Sequence, residues 1–300
     1  MATTEDYLTT DDGVRLFFQV LGNGSKVLIV PNAAWTYADF SVLETGRTLI
    51  FYDLRNRGRS QTLSDEARLA GGILRDVEDL AAVQRHFRID RSDVIGCSYL
   101  GMMAVLYAER YPASVGRVVQ IGPVQPDLTT EYPPHLANRD GVLEQALAEF
   151  RQAASSPDVQ EADRRVMAAL RRMLVADPER AHNLDRWNLA HLPNERRGMQ
   201  HWQKNIEPSI RALGLTSARL ARIDTPVLTI HGRKDRNAPY GGGREWALAL
   251  PNARLLTIED AAHTPWIEAP QEVFGAIETF LAGEWPQAAE KVTVLDPSPA

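Results

Sequence analysis

Val94-Ile95-Gly96-Cys97-Ser98-Tyr99-Leu100-Gly101-Met102 is the stretch that decides the fold of this chain. A short apolar run leads through a glycine to a serine, and a helical pattern, Tyr99 to Tyr111, follows until Pro112 stops it. A strand that turns sharply into a helix presents the serine hydroxyl at the carboxyl end of a sheet. Small residues belong in such a turn because larger side chains would collide. The helix aims its N-terminus at the hydroxyl, where backbone N–H groups favour developing negative charge. The same residues also fit a serine that caps a helix after a strand, so the rest of the chain has to decide.

Outward from this stretch, apolar β-branched runs recur at Val27 to Val30, Thr48 to Tyr52, Asp93 to Ile95, Arg117 to Ile121, Pro226 to Ile230 and Arg254 to Ile258. Continuous apolar runs are expected of strands covered on both faces of a parallel sheet. Helical patterns lie between several of them, at Ile73 to Phe87, Tyr99 to Tyr111 and Gly243 to Leu250, and a last one runs from Pro270 to Leu281. Proline suits the first turn of that last helix. Tyr7 to Thr9 and Val14 to Val20 flank Asp11-Asp12-Gly13 and read as a hairpin. The predicted fold class is therefore α/β, a mostly parallel twisted sheet flanked by helices. Residues 124–222 break the alternation. They are rich in Ala, Arg, Glu and Leu at helical spacing, punctuated by prolines, and predict an inserted helical segment. The tail, 286–300, is polar and is expected to be loosely ordered.

Composition narrows the function. Thirty-three Lys and Arg stand against 39 Asp and Glu, for a formal net charge of -6, which disfavours a polyanionic partner. Paired arginines such as Arg164-Arg165 and Arg171-Arg172 fall among acids on predicted helix faces and read as solvated surface, not a nucleic-acid stripe. Cys97 is the single cysteine, so no internal disulfide and no cysteine-based metal site is expected. Met1 to Asp12 carries no apolar core of a signal peptide, and no apolar run approaches a membrane span. The expectation is a cytoplasmic protein with a small-molecule substrate, no cofactor or metal, and no nucleic-acid or membrane partner; a homo-oligomer is left open.

Two further loops carry chemistry. Thr229-Ile230-His231-Gly232-Arg233-Lys234-Asp235 is a buried strand running into a turn that ends in an acid. Leu255-Leu256-Thr257-Ile258 leads into Glu259-Asp260-Ala261-Ala262-His263, a loop histidine before the final helix. Alone, Asp235 fits a turn former and His263 an incidental loop residue. Together with Ser98 they give the order Ser, Asp, His, each after a separate strand. That combination suits a nucleophile, an orienting acid and a general base.

On these motifs the chain resembles the α/β-hydrolase superfamily from Tyr7 to about Leu281, in particular its serine-nucleophile members with a helical cap, esterases and proline iminopeptidase-like hydrolases among them. Asp53-Leu54-Arg55-Asn56-Arg57-Gly58-Arg59-Ser60 resembles the family's D-x-R-G-x-G-x-S loop, with Asn56 at a position where glycine is usual. Val30-Pro31-Asn32-Ala33-Ala34-Trp35 stands where the family has its His-Gly oxyanion loop, with Pro31 and Asn32 replacing that pair. Leu100 replaces the second glycine of G-x-S-x-G. The resemblance implies a core of 1–123 and 223–285, a cap of 124–222, a catalytic set of Ser98, Asp235 and His263, and oxyanion donors at the backbone N–H of Ala33 and Tyr99.

Trp35, Trp187, Trp202 and Trp266 are the candidate substrate-binding residues, with Tyr132, His191 and His201 as further candidates on the cap. The serine favours acyl transfer over the alkyl-enzyme chemistry of aspartate-bearing relatives, and the expected activity is hydrolysis of a carboxylic ester or lactone of a small, largely hydrophobic substrate. Two alternatives stay open. One is a proline iminopeptidase-like aminopeptidase, which would need cap carboxylates such as Glu195 or Glu207. The other is a ligand receptor or pseudoenzyme on the same fold. A C–C bond hydrolase or lyase using the same groups is not singled out by any residue.

Overall fold

The computed structural model describes residues 3–154, 158–184 and 200–296. Eight strands form one sheet: β1 (Thr4–Thr9), β2 (Arg15–Gly22), β3 (Lys26–Pro31), β4 (Arg47–Tyr52), β5 (Ser92–Cys97), β6 (Val115–Ile121), β7 (Val227–Gly232) and β8 (Ala253–Ile258). Their order across the sheet is β1-β2-β4-β3-β5-β6-β7-β8. The β1–β2 and β2–β4 pairs are antiparallel, and every other pair is parallel.

Alternate residues along each parallel strand feed opposite faces, which is why the runs read as continuously apolar. Ile29, Ile50, Val94, Val118 and Val227 pack on one face with Leu80, Val83, Met102, Met103 and Trp246 from helices Ile73–His86, Tyr99–Arg110 and Tyr240–Ala249. Leu28, Val30, Phe51, Ile95, Ile121, Ile230 and Leu256 pack on the other with Phe40, Ile277 and Phe280 from helices Ala33–Phe40 and Pro270–Ala282. Each such side chain, fully buried, contributes about 1.5–3 kcal/mol.

β6 and β7 are hydrogen-bonded neighbours, yet residues 122–226 lie between them. The described part of that stretch is helical and contains no strand, with helices Gly141–Ala154 and Val159–Leu174 packed on each other. The tail differs from its expectation. Leu255 and Glu290 exchange both backbone hydrogen bonds, at 2.9 and 2.8 Å. Arg244 holds the carbonyls of Val294 and Leu295, and Ala289 and Val292 are buried. Residues 286–296 thus pack along the outer edge of β8, because two apolar side chains and one buried arginine outweigh the polar composition; 297–300 lie outside the described residues.

Candidate functional site

Ser98 sits at the apex between β5 and helix Tyr99–Arg110 with φ 58° and ψ -135°. A non-glycine residue held at positive φ costs of order 1–3 kcal/mol, and such strain gathers at functional sites. The turn is fixed from three sides. Ser98 N–H donates to the Ile121 carbonyl at 2.8 Å, and Gly101 N–H to the Ser98 carbonyl at 2.9 Å. A Cβ on Gly96 would overlap the Leu100 carbonyl oxygen, and one on Gly101 would stand 2.7 Å from Gln120 Cβ. The close approach to β6 therefore falls on Gly101, three residues after the serine. Leu100 is free to be large and lines the cavity above the turn.

Ser98 and His263 line the same cavity, of about 210 Å³. Behind the histidine, Asp235 is fully buried and accepts four hydrogen bonds. Its Oδ1 takes the N–H groups of Asn237 (2.8 Å) and Ala238 (2.9 Å). Its Oδ2 takes His263 Nδ1–H (2.7 Å) and His231 Nε2–H (3.2 Å). Burial works to raise the Asp235 carboxyl, but His263 and His231 outweigh it and hold the group well below the usual carboxylate range. With Nδ1 donating to a carboxylate, the neutral His263 ring carries its lone pair on Nε2. That atom accepts from Asn237 Nδ2 at 3.1 Å. Among the described residues no hydrogen bond joins Ser98 to His263.

His231 is the member that sequence reasoning passed over. Its Nε2–H is shared between Asp235 and the Ala238 carbonyl, both at 3.2 Å, and its ring packs edge-on against Tyr240. Gly243 leaves room for it, since a Cβ there would overlap Nδ1. The spacing His231-Gly232-x-x-Asp235 was the available signal.

The segment after β3 departs from a loop. Asn32 is left-handed, with φ 67° and ψ 55°, and a helix starts at Ala33. Asp53 explains the geometry. It is fully buried, and its two oxygens take Ala34 N–H at 2.8 Å and Arg59 N–H at 2.9 Å. Burial pushes the Asp53 carboxyl up while these N–H groups pull it down. Gly58, at φ 49°, lets the chain close over that carboxylate, and Asn56 adopts the left-handed turn expected of it, at φ 60°. The N–H groups of Ala33 and Tyr99, each first in its helix, have no partner among the described residues.

Of the four candidate tryptophans, Trp35 and Trp266 line the cavity with Leu170 and Leu174 of helix Val159–Leu174. Trp266 donates to Asp39 at 2.9 Å. Trp202 is not on that lining. It packs against the Tyr99 ring, 5.2 Å between centroids, whose hydroxyl is bonded to Arg57 and Asp76. Tyr132 is likewise elsewhere, bonded to Glu245 and packed on Gly241. Trp187, His191 and Glu195 lie outside the described residues. Cys97 also lines the cavity, and burial, aided by Asp39, pushes its thiol well up, so it stays protonated.

Below the Ser98 turn lies a second polar group that the sequence did not announce. Tyr99 Oη accepts from Arg57 and donates to Asp76 at 3.2 Å. Burial, reinforced by Asp79 and opposed by Arg57 and Arg55, lifts the Asp76 carboxyl to about 7. His201 is buried nearby among the same charges; burial, then Arg57 and Arg55, lower it to about 4.

The loops bearing Asp235 and His263 both grip the end of helix Val159–Leu174. Arg236 donates to the carbonyls of Val175 (2.7 Å) and Ala176 (3.0 Å) and to Asp140 (2.6 Å). Thr264 Oγ1 donates to the Leu174 carbonyl at 2.9 Å, and Glu268 accepts from Ala176 N–H (2.8 Å) and Ala262 N–H (2.7 Å). Among the described residues no group of three or more His, Cys, Asp or Glu could hold a metal, and no helix is long and apolar enough to cross a membrane.

The parallel sheet, the sharp strand-to-helix turn and the acid-bearing loop after β7 agree with a family comparison: residues 32–270 match the model described as alpha/beta hydrolase fold, and the chain belongs to that family. It is 29% identical over 225 residues to a 2-hydroxymuconate semialdehyde hydrolase of Pseudomonas putida, covering 69% of this chain and 68% of that one. It is 25% identical over 284 residues to a pimeloyl-[acyl-carrier protein] methyl ester esterase of Chromobacterium violaceum, covering 89% and 98%. Among solved structures, an esterase from Exiguobacterium antarcticum superposes with a TM-score of 0.69 at 16% identity, over 93% of this chain and all of that one, a likeness of fold.

Proposed function

We propose that this protein is a serine hydrolase that cleaves a carboxylic ester or lactone of a small, largely hydrophobic substrate through an acyl-enzyme. One observation carries the reading: a serine held at positive φ shares a cavity with an imidazole whose other nitrogen is tied to a buried, fully satisfied carboxylate. In the proposed reaction Ser98 Oγ attacks the acyl carbon and its proton passes to His263 Nε2. Asp235 fixes the ring tautomer and stabilises the imidazolium. The acyl oxygen, now negative, is met by the N–H groups of Ala33 and Tyr99; such donors are typically worth about 10²–10³ each in turnover. His263 returns the proton to the leaving alcohol, and water, deprotonated by the same ring, releases the acid.

The helices between β6 and β7 are proposed as a cap, since Leu170 and Leu174 close the cavity. The cavity is below the ~300–1,000 Å³ of drug-sized sites, and its described lining holds no Lys, Arg, Asp or Glu. That supports a small uncharged acyl group. An aminopeptidase needs an acid for the substrate ammonium, and the described lining offers none; Glu195 lies outside the described residues. Glu207 is paired with Arg211 and is not on the lining.

The test is a panel of p-nitrophenyl esters against proline arylamides, with fluorophosphonate labelling of wild type and Ser98→Ala. Ester turnover and labelling that vanish together in the variant support the proposal. Turnover of the arylamide alone overturns the ester reading, and labelling without turnover of any panel member points to a receptor on this fold.

A further inference from the structure

The neutral His263 ring has one in-plane lone pair, and Asn237 holds it. The identity of the bonded atom follows from the surroundings. Asp235 and its four donors require Nδ1–H, so Nε2 can only accept, and the carboxamide must turn its nitrogen toward the ring. The main chain of Asn237 is pinned, because its N–H donates to Asp235 Oδ1 at 2.8 Å. Its side chain, in contrast, is exposed at the cavity mouth. A solvent-facing amide can swing off a ring at small cost, since water replaces the lost bond.

Resting on the serine-hydrolase reading, we propose that Asn237 is a positioning residue that competes with Ser98 for His263 Nε2 and keeps the serine unactivated until the amide turns away. The competition therefore has one signature: a slower attack by Ser98, relieved when the amide is removed. The other groups facing His263 are Asp235 with His231 behind it, Cys97 and Ser98 across the cavity, and Glu268 on the Ala262 N–H. None of them is altered by a change confined to the Asn237 side chain, and any residue at 237 keeps the backbone bond to Asp235.

The experiment measures the second-order rate constant for inactivation by a fluorophosphonate against pH, for wild type, Asn237→Ala, Asn237→Leu and Asn237→Asp, with melting temperature as the check on folding. In Asn237→Ala and Asn237→Leu the plateau rate is expected to rise about twofold to tenfold. Asn237→Asp, which leaves no donor for the Nε2 lone pair, is expected to rise with them. A plateau that does not rise in either apolar variant overturns the inference. If the wild type is not labelled at Ser98, the serine-hydrolase reading itself fails. A labelled wild type with unchanged variants removes only the role of Asn237.

Discussion

Oδ2 of Asp235 lies 2.7 Å from Nδ1 of His263 and, on its other side, 3.2 Å from Nε2 of His231, so one carboxylate oxygen is bracketed by two imidazoles. Replacing Asp235 by Asn puts an N–H against one of these donors and forces His263 toward the wrong tautomer. Asp235→Asn is expected to reduce kcat by about 10⁴, the size of effect known for a triad acid in a serine protease. Steady-state hydrolysis by the folded variant, normalised to active protein, measures it, and a loss below tenfold would refute the role.

The two glycines at the Ser98 turn and on the final helix should behave in opposite ways. A Cβ at Gly96 would meet the backbone of Leu100 and Gly101, which cannot give way, so Gly96→Ala is expected to cost about 3 kcal/mol or more. Gly275 has nothing within 4 Å of its would-be Cβ and lies inside helix Pro270–Ala282, so Gly275→Ala should stabilise by up to about 1 kcal/mol. Urea melts of both variants decide the matter.

Asp76 and His201 make stability depend on pH with opposite signs. A carboxyl lifted to about 7 keeps its proton in the folded chain where the unfolded chain has lost it, so Asp76 withdraws stability as pH rises from about 4 to about 7, by up to about 1.4 kcal/mol per unit. A ring lowered to about 4 stays neutral where the unfolded ring is charged, so His201 adds stability as pH rises from about 4 to about 6.5. The two offset each other until His201 is exhausted. Asp76→Asn mimics the protonated acid and should raise Tm at about pH 8 while matching the wild type near pH 4. A Tm difference that does not vary with pH would rule out the buried charge as its cause.

Trp35 offers a test of the cavity. It is half-buried on the lining, near the Ser98 turn. Trp35→Ala enlarges the space beside Ser98, and the preferred acyl group among p-nitrophenyl esters is expected to lengthen, with kcat/KM falling for acetate and rising for octanoate. An unchanged chain-length profile would place the acyl group elsewhere.

The strands were legible because each is covered on both faces: Ile29 and Val94 go one way, Val30 and Ile95 the other, and the sequence pattern is apolar at every step. Ser98, Asp235 and His263 could be picked out because each follows its own strand. Helix Ala33–Phe40 was not visible, because its start depends on Asn32 turning left-handed and on Asp53, far along the chain, taking the Ala34 N–H. The Asn237–His263 bond and the Asp76–Tyr99–Arg57 group share that character. Their significance lies in contacts between segments many residues apart, and no local periodicity records such contacts. Trp202 misled for a related reason: a place on the inserted cap does not say which neighbour a tryptophan covers, and this one covers the ring of Tyr99.

The β6–β7 ladder runs from Val118–Val227 to Ile121–Ile230 and is closed at its ends by Val118 N–H on the Pro226 carbonyl and Gly122 N–H on the Ile230 carbonyl, so residues 123–225 stand outside it. Selection can therefore rewrite much of the intervening stretch, as one changes a tool head without recutting the handle, but not Leu174 to Ala176, which the loops of Asp235 and His263 hold. The exit point is a second fixed place: a side chain at Gly122, where φ is 52°, would press on His263 Nδ1 and Asp235 Oδ2 at 3.1 and 3.3 Å. Descendants of this chain should drift widely across most of that stretch while keeping a glycine at position 122.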